Sequence, residues 1–474
     1  MIPLTARQVA EAIDAHRLHG NHETTAGAVT IDSRHVAPGD CFFAIVGERH
    51  DGHQFVAAAI DAGASMVVVA RVPEALGETH AHATILEVAD TTLALQALGG
   101  WLRRELNPTV VAITGSLGKT TTKDHTAVLL RLCYSVHATP GNLNNHWGLP
   151  LSLLGLEPHH EVMVAEMAMS KAGEIRALAR IATPNVGVVT NVAPAHMENF
   201  SDLDAVAAAK GELVEELPRS GTLIVNADDP HAALMPGRLA PHISRVVRFG
   251  RNETADVRAI DVAAAAPGWR LALQIDGGVW PIHLRLPGEA GIASFLGAAA
   301  TAWAIGVAPD AIAACAPSLE PLANRGSVRR VNDVTLLDES YNASPVAVKA
   351  ALDTLASLPA EGRHIAVLGD MLEMGEWTGQ VHREAGAHAV ETGVDLLLAV
   401  GAFAGLIAAG AAAAGIDGGA VLEFDTADQA ATWLAPQLRN GDTVLVKGSR
   451  AIHLEQVVNA VTTASVISNG AEDS

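Results

Sequence analysis

The chain has 474 residues, 49% of them hydrophobic and 18% charged, which excludes the polar, highly charged disordered class and calls for more than one core. Its formal net charge of −21 gives nucleic-acid backbones no electrostatic support, so no nucleic acid is expected as a partner. Cys41, Cys133 and Cys315 lie far apart without CxxC or Cys/His spacing, so they are expected as reduced thiols and not as a metal centre.

The opening "MIPLTARQVAEAIDAH" alternates at helical period and lacks the basic start and apolar block of a signal peptide, so a cytoplasmic location is expected. "CFFAIVG" and "SMVVVA" predict strands of a small α/β domain over residues 1–88. "TTLALQALGGWLRREL" predicts a helix that stops at Asn107-Pro108, because the residue before a proline is pushed out of the α region. Over residues 89–316, "TVVAIT", "EVMVAEM", "NVGVVTNV" and "TLIVNA" alternate with helical patterns, the mark of βαβ units around a mainly parallel sheet. Residues 245–287 carry shorter alternating runs and predict an antiparallel flank.

Over residues 317–474 the alternation returns with "VTLLDES", "HIAVLGD", "DLLLAVG" and "DTVLVKGS", predicting a second doubly wound domain. Residues 396–416 are uncharged for the length of a membrane span, but alanine and glycine dominate. A buried strand, a turn at Gly401 and an Ala-rich helix are expected there, and no membrane span. The polar tail "SNGAEDS" is expected to be disordered.

"AITGSLGKTTTKD", residues 112–124, follows a strand pattern and opens a helix pattern. That order supplies a nest of backbone N–H groups and a positive helix end, a cradle for phosphates. Lys119 is then placed for the β/γ-phosphates and Thr120 for a magnesium ion. Ile113, however, stands where the ordinary phosphate loop has its first glycine. Downstream, Glu166 falls inside the apolar run "VMVAEM", where an unpaired carboxylate is costly and a metal ion would relieve that cost. His196 follows a buried-strand pattern in "VTNVAPAHMENF", and Lys210 stands early in the helix pattern "AVAAAKGELVEEL".

The short loop TGxxGKTT resembles that of the Mur ligase family, the ATP-dependent amide ligases of peptidoglycan synthesis and their folylpolyglutamate relatives. The resemblance covers essentially the full chain. It implies an α/β protein of three domains: a small N-terminal α/β domain, a central P-loop-type parallel-sheet ATPase domain and a C-terminal Rossmann-like doubly wound domain. It also implies that ATP meets Thr114, Gly115, Ser116, Leu117, Gly118, Lys119, Thr120 and Thr121, with Arg325 reaching the nucleotide from the C-terminal side and Asp338 holding the ribose. Two magnesium ions are implied, held through Thr120, Glu166, His196 and Lys210, with Lys210 carbamylated into the anionic oxygen ligand that magnesium prefers. Within "TPGNLNNHWGLP" the resemblance makes Asn145 the amide beside the transferring phosphoryl group.

"DSRHVAPGDCFFAIVGERHDGHQF" resembles the UDP-sugar domain of this family and implies Ser33, Arg34, Asp51, Gly52 and His53 as contacts of a UDP-muramoyl moiety. "DESYNASP", "LGDMLEMGE" and "VKGSRAIHLE" resemble the branch that adds D-alanyl-D-alanine to UDP-N-acetylmuramoyl-tripeptide, with Tyr341, Asn342, Ser344, Ser449 and Arg450 facing the peptides. Asp370 and Glu373 stand in a Gly-Asp turn of a kind common without a ligand. A monomer working through an acyl phosphate is expected. The alternative is a catalytically weak relative that binds muramoyl peptide as a scaffold, against which Lys119, Glu166, His196 and Lys210 argue. One departure stands out: Ala290, Gly291 and Ser294 replace the His, Asn and Asn with which the family opens a helix at the adenine, so weakened base recognition is expected.

Overall fold

The computed structural model describes residues 2–464 apart from 74, 75, 77–79, 81, 266 and 360; the expected polar tail lies outside the described residues. Three sheets follow one another along the chain, with a two-stranded ribbon beside the first. The first has five strands in the spatial order 17–19, 84–87, 66–69, 41–43, 29–30, parallel except at the 17–19 edge. Helix Thr91–Leu106 starts on the Asp90 side chain, which accepts from the Leu93 N–H, and ends at Asn107 in the left-handed region (φ 45°) just before Pro108. Its Leu95, Leu98 and Leu102 are fully buried, one stripe at helical spacing against the N-terminal core.

The second sheet has nine strands, ordered 278–284, 269–275, 257–264, 245–250, 222–226, 186–189, 109–114, 162–166, 136–138. Six neighbouring pairs are parallel, and only the two pairs made by strand 269–275, with 257–264 and, in a hairpin, with 278–284, are antiparallel. The antiparallel flank is therefore narrower than expected, since strand Arg245–Gly250 pairs in parallel with Thr222–Asn226. The hairpin turns at Asp276 (φ 49°) and Gly277 (φ 75°), the paired positive φ values that match strand twist. After Thr109–Thr114 the chain works outward to the 136–138 edge, returns at Val162–Glu166 and crosses to the other side at Val186–Val189. The direction reverses at strand 109–114, and its carboxyl end opens into the crevice where such sheets bind ligands.

The third sheet has six strands in the order 327–331, 334–339, 443–447, 364–369, 396–400, 421–424, antiparallel only at the first pair. Residues 396–416 form a fully buried strand, Leu396–Val400, a turn at Gly401 (φ 116°) and helix Ala404–Ala413. The small residues serve close helix packing: a Cβ on Gly410 would lie 1.9 Å from the Arg383 carbonyl oxygen of helix Thr378–Glu391. Among the described residues no helix is long and apolar enough to cross a membrane. The architecture is thus the expected one, a small α/β unit, a central parallel-sheet unit of the P-loop type and a doubly wound C-terminal unit.

Candidate functional site

Strand Thr109–Thr114 is buried from Val110 onward and delivers the loop that follows to the crevice. Ile113 is fully buried in the body of this strand, paired in register with Glu166, so the turn cannot begin there and starts at Gly115 (φ 152°). Gly118 (φ 74°) then caps helix Lys119–Leu130. A Cβ on Gly115 would lie 1.9 Å from Thr190 Oγ1, so the loop is wedged against the end of the neighbouring strand. Asn191 Oδ1 accepts from the Leu117 N–H (2.9 Å), Thr190 Oγ1 donates to the Leu117 carbonyl (2.6 Å), and Ser116 Oγ donates to the Ala193 carbonyl (2.7 Å). Lys119 Nζ folds back onto the carbonyls of Gly115 (2.7 Å) and Ser116 (3.1 Å). Burial holds its pKa below the ordinary lysine range, Glu166 opposes that shift and Arg325 adds to it. A phosphate entering the nest would relieve this positive crowding.

Glu166 ends strand Val162–Glu166 and is 1% exposed. One carboxylate oxygen accepts from Asn144 Nδ2 at 2.7 Å; the other, Oε2, is buried with no partner among the described residues. Asn144, and not its neighbour Asn145, is therefore the amide against the carboxylate. Asn145 is exposed, outside the cavity lining, and its Oδ1 accepts from the N–H groups of Trp147 (3.2 Å) and Gly148 (2.8 Å) at the start of helix Gly148–Leu154. Lys210 is buried at the middle of helix Leu203–Glu215, not early in it, because Asp202 caps the helix two turns upstream. Its amine has no partner among the described residues, and burial, then repulsion from Lys119, pulls its pKa well below the ordinary lysine value. His196 adopts a left-handed conformation (φ 55°) and its Nδ1 lies 2.5 Å from Glu373 Oε2 of the C-terminal unit.

A cavity of about 510 Å³ lies between the phosphate loop, Asn144, Glu166 and His196 on one side and the carboxyl ends of the C-terminal strands on the other; Lys210 is not among its lining residues. Among the described residues no cluster of three or more His, Cys, Asp or Glu side chains is arranged for a metal ion. Glu166 and His196 nonetheless line the same cavity, and the buried Glu166 Oε2, unpaired among the described residues, is the type of oxygen that suits a hard cation.

On the opposite wall Tyr341 lies between two guanidinium groups, Arg325 with Cζ 3.7 Å from the ring centroid and Arg450 at 5.2 Å. Lys447, 2% exposed, ties the 339–344 segment down, donating to Glu339 Oε2 (3.2 Å) and the Asn342 carbonyl (3.0 Å). Asn342 and Ser344 line the same cavity, and Ser344 Oγ is buried without a partner among the described residues. Ser449 lines it too and accepts from the Leu372 N–H (3.0 Å). Asp338 is fully buried, with Arg329 Nη2 (3.0 Å) on one oxygen and the Ser340 hydroxyl (2.7 Å) and N–H (3.1 Å) on the other; it does not line the cavity. Asp370 accepts from the Ala402 and Phe403 N–H groups after Gly401, a structural role. A second cavity of about 560 Å³ shares Thr120, Asn142, Arg325 and Tyr341 with the first and runs along the other face of the Lys119–Leu130 helix.

Ala290, Gly291 and Ser294 line the first cavity at the start of helix Gly288–Ile305. A Cβ on Gly118 would sit 3.0 Å from Ser294 Oγ, so that serine packs on the phosphate loop. The N-terminal candidates lie elsewhere. Arg34 grips Asp32 (2.6 Å), beside Ser33. Asp51 accepts from the His53 N–H (3.0 Å), the His53 ring (2.6 Å) and Arg71, while His53 Nε2 accepts from the Ala70 N–H (2.8 Å). A Cβ on Gly52 would lie 2.7 Å from the Ile45 nitrogen.

Sequence reasoning missed Thr190 and Asn191, which brace the loop from about 75 residues away, and the Glu339–Lys447 pair, which joins adjacent strands 108 positions apart. A Thr-Asn pair at the end of an apolar strand run, "VTNV", is the one local signal available for the first.

Comparison with known proteins agrees with this geometry. The Mur ligase middle domain matches residues 113–302, the glutamate ligase domain of Mur ligases 324–450, and the Mur ligase family catalytic domain 26–99. The UDP-N-acetylmuramoyl-tripeptide–D-alanyl-D-alanine ligase of Escherichia coli is 35% identical, covering 97% of this chain and 99% of its own. The enzyme of the same name from Bacillus subtilis is 32% identical, covering 97% and 98%. A crystal structure of MurF from Acinetobacter baumannii superposes with a TM-score of 0.87 at 29% identity, covering 97% and 99% of the two chains. MurF ligase from Thermotoga maritima in complex with ADP gives 0.78 at 28% identity, covering 92% and 97%. The chain belongs to the Mur ligase family.

Proposed function

We propose that this chain is the ATP-dependent ligase that joins D-alanyl-D-alanine to UDP-N-acetylmuramoyl-tripeptide in peptidoglycan precursor synthesis. The observation that carries the reading is near-full-length similarity, 35% identity over 97% of the chain, to an enzyme of that name. The cavity supports it, since the phosphate loop and Glu166 form one wall and Tyr341, Asn342 and Arg450 the other.

In this reading the terminal carboxylate of the tripeptide takes the γ-phosphoryl group of ATP, giving an acyl phosphate and ADP. The amine of the dipeptide then attacks the acyl carbon, phosphate leaves with the C–O bond, and the amine sheds one proton as the amide forms. Lys119 leaves its loop carbonyls for the β/γ-phosphates and offsets negative charge as the phosphoryl group moves. Arg325 faces the same phosphates across the cavity. Thr120, Glu166, His196 and Lys210 are the residues that would hold two magnesium ions, which supply charge neutralisation at the transferring group. The Lys210 amine, its pKa pulled well below the lysine range by burial, is suited in its unprotonated form to add carbon dioxide with loss of a proton and so become an anionic oxygen donor. Asn144 orients the Glu166 carboxylate, and we place it, in Asn145's stead, as the amide nearest the phosphoryl group. Ser33, Arg34, Asp51, Gly52 and His53 remain our choice for the UDP-muramoyl end. Asp338 acts on the ribose by holding the 338–344 segment. A cytoplasmic monomer is part of the same reading.

The test is release of ADP and phosphate that requires ATP, magnesium, D-alanyl-D-alanine and a UDP-muramoyl-tripeptide together, run with both the diaminopimelate and the lysine tripeptide. Dependence on all components is expected. Absence of turnover with either tripeptide would leave the scaffold reading in its place.

A further inference from the structure

The loop of residues 371–377 belongs to the third sheet's unit, yet it docks on residues 196–200 of the central unit at three points. Glu373 Oε2 meets His196 Nδ1 (2.5 Å), the Glu373 carbonyl accepts from the Glu198 N–H (3.3 Å), and a Cβ on Gly375 would sit 3.0 Å from Glu198 Cα. Trp377 packs against the buried clusters of both units. The two residues that meet side chain to side chain both hold left-handed backbone conformations, His196 at φ 55° and Glu373 at φ 64°, which non-glycine residues rarely adopt without a reason. The pair is half-exposed, at 32% and 52%, so it contributes little to stability. Its effect is geometric. A carboxylate can only accept, so the His196 ring must present Nδ1–H to it, and in the neutral ring this leaves the Nε2 lone pair for the cavity.

We propose that Glu373 is a positioning residue for the ligase reaction: docking of the 371–377 loop turns the His196 ring so that Nε2 faces the cavity wall carrying Glu166. Closure of the C-terminal unit and completion of the donor set then become one event, which ties catalytic competence to the closed arrangement. The proposal rests on the ligase reading above.

The test uses the full chain with Glu373→Ala and Glu373→Gln. The alanine variant is expected to lose kcat by about 10- to 100-fold, with the KM for ATP within about threefold of wild type and the melting temperature unchanged. The glutamine variant, whose amide oxygen still accepts from Nδ1–H, is expected to recover most of that loss. In ¹⁵N-histidine spectra of the ligand-free chain, the His196 signal is expected to show protonated Nδ1 in wild type and glutamine variant and a mixture of tautomers in the alanine variant. The proposal falls if Glu373→Ala keeps kcat within about twofold, if Gln is as damaged as Ala, if the tautomer does not change, or if activity and melting temperature drop together. A wild-type chain without turnover would sink the ligase reading alone, because the tautomer measurement needs no reaction.

Discussion

The N-terminal unit and the central cavity both gather polar side chains, but they treat them in opposite ways. Around Asp51 every strong donor and acceptor closes on another: His53 and Arg71 on the carboxylate, the Ala70 N–H on the far ring nitrogen. Around the phosphate loop the network stays open: among the described residues Thr114 Oγ1, Glu166 Oε2 and Ser344 Oγ are buried without partners, the Lys210 amine has none, and Arg325 and Arg450 are stacked on a tyrosine. Buried polar groups are normally satisfied, so a closed network reports on the fold and an open one reports on a missing ligand. Substitutions in the two regions should therefore have opposite signatures, loss of stability in the first and loss of turnover without loss of stability in the second.

The largest effect is expected at Lys119. Lys119→Met removes the one loop cation, and ADP release should fall by about 100- to 1,000-fold. Because burial already holds the amine pKa low, the folded protein carries this charge at a cost, and the melting temperature of the ligand-free variant should stay level or rise. A fall in melting temperature alongside turnover would place Lys119 with the closed networks and break the contrast.

Glu166→Gln comes next. It keeps the size and the Asn144 contact while removing a charge that has one unpaired oxygen. Turnover should drop by about 10- to 100-fold, whereas ligand-free stability should rise by about 1 kcal/mol, read from urea melts. ATP with magnesium should raise the melting temperature of wild type more than that of the variant. Equal protection of both would remove Glu166 from the ligand set.

Which parts of this were visible beforehand follows from the range of the interactions involved. Strand, Gly115–Gly118 turn and helix are consecutive, so the phosphate loop could be read directly, and a glutamate in the run "VMVAEM" betrayed itself by its cost. The resemblance pointed to Asn145, whereas the amide that meets Glu166 is Asn144, because which of two adjacent amides turns inward depends on the path of the loop between strand 136–138 and helix 148–154. The resemblance implied Asp338 as the ribose ligand, and only the antiparallel edge strand that brings Arg329 beside it shows that its carboxylate is already hydrogen-bonded within the unit. Glu373 read as an ordinary turn residue, since its partner lies 177 positions away in another unit. At Asp51 the motif residues are close in sequence and easy to read, but the contact from Arg71, 20 positions on, is not part of that pattern.

Asp51→Asn sharpens the other half of the contrast. Burial alone would raise this carboxyl pKa, but hydrogen bonds from the His53 N–H, the His53 ring and Arg71 outweigh it and bring the value down to about 2. A depressed carboxyl pKa stabilises the folded state above the unfolded value near 3.8, and that contribution is lost as pH falls through about 2. At neutral pH the variant should be less stable by about 1–2 kcal/mol, with kcat at saturating substrates within about twofold of wild type. Between pH 5 and 2, roughly the range set by this linkage, its melting temperature should fall less steeply than that of wild type. A steeper fall would mean that the cluster does not hold the carboxylate.

The smallest effect concerns the base attached to the phosphates. Ala290 and Gly291 line the cavity without any polar side-chain atom, and the Ser294 hydroxyl lies against Gly118 of the loop. Discrimination against a wrong base comes mainly from buried polar groups left unpaired, and here two of three positions carry none to leave. ATP and GTP should therefore differ by less than about tenfold in kcat/KM, whereas a site that hydrogen-bonds its base commonly separates such pairs by far more. The contrast between closed and open networks sets this expectation, because an apolar wall makes no demand on what it meets. A strict preference for ATP would require a polar group outside positions 290–294. The 322–325 segment leading to Arg325 would be the first place to seek it, since Asn324 and Arg325 line the same cavity.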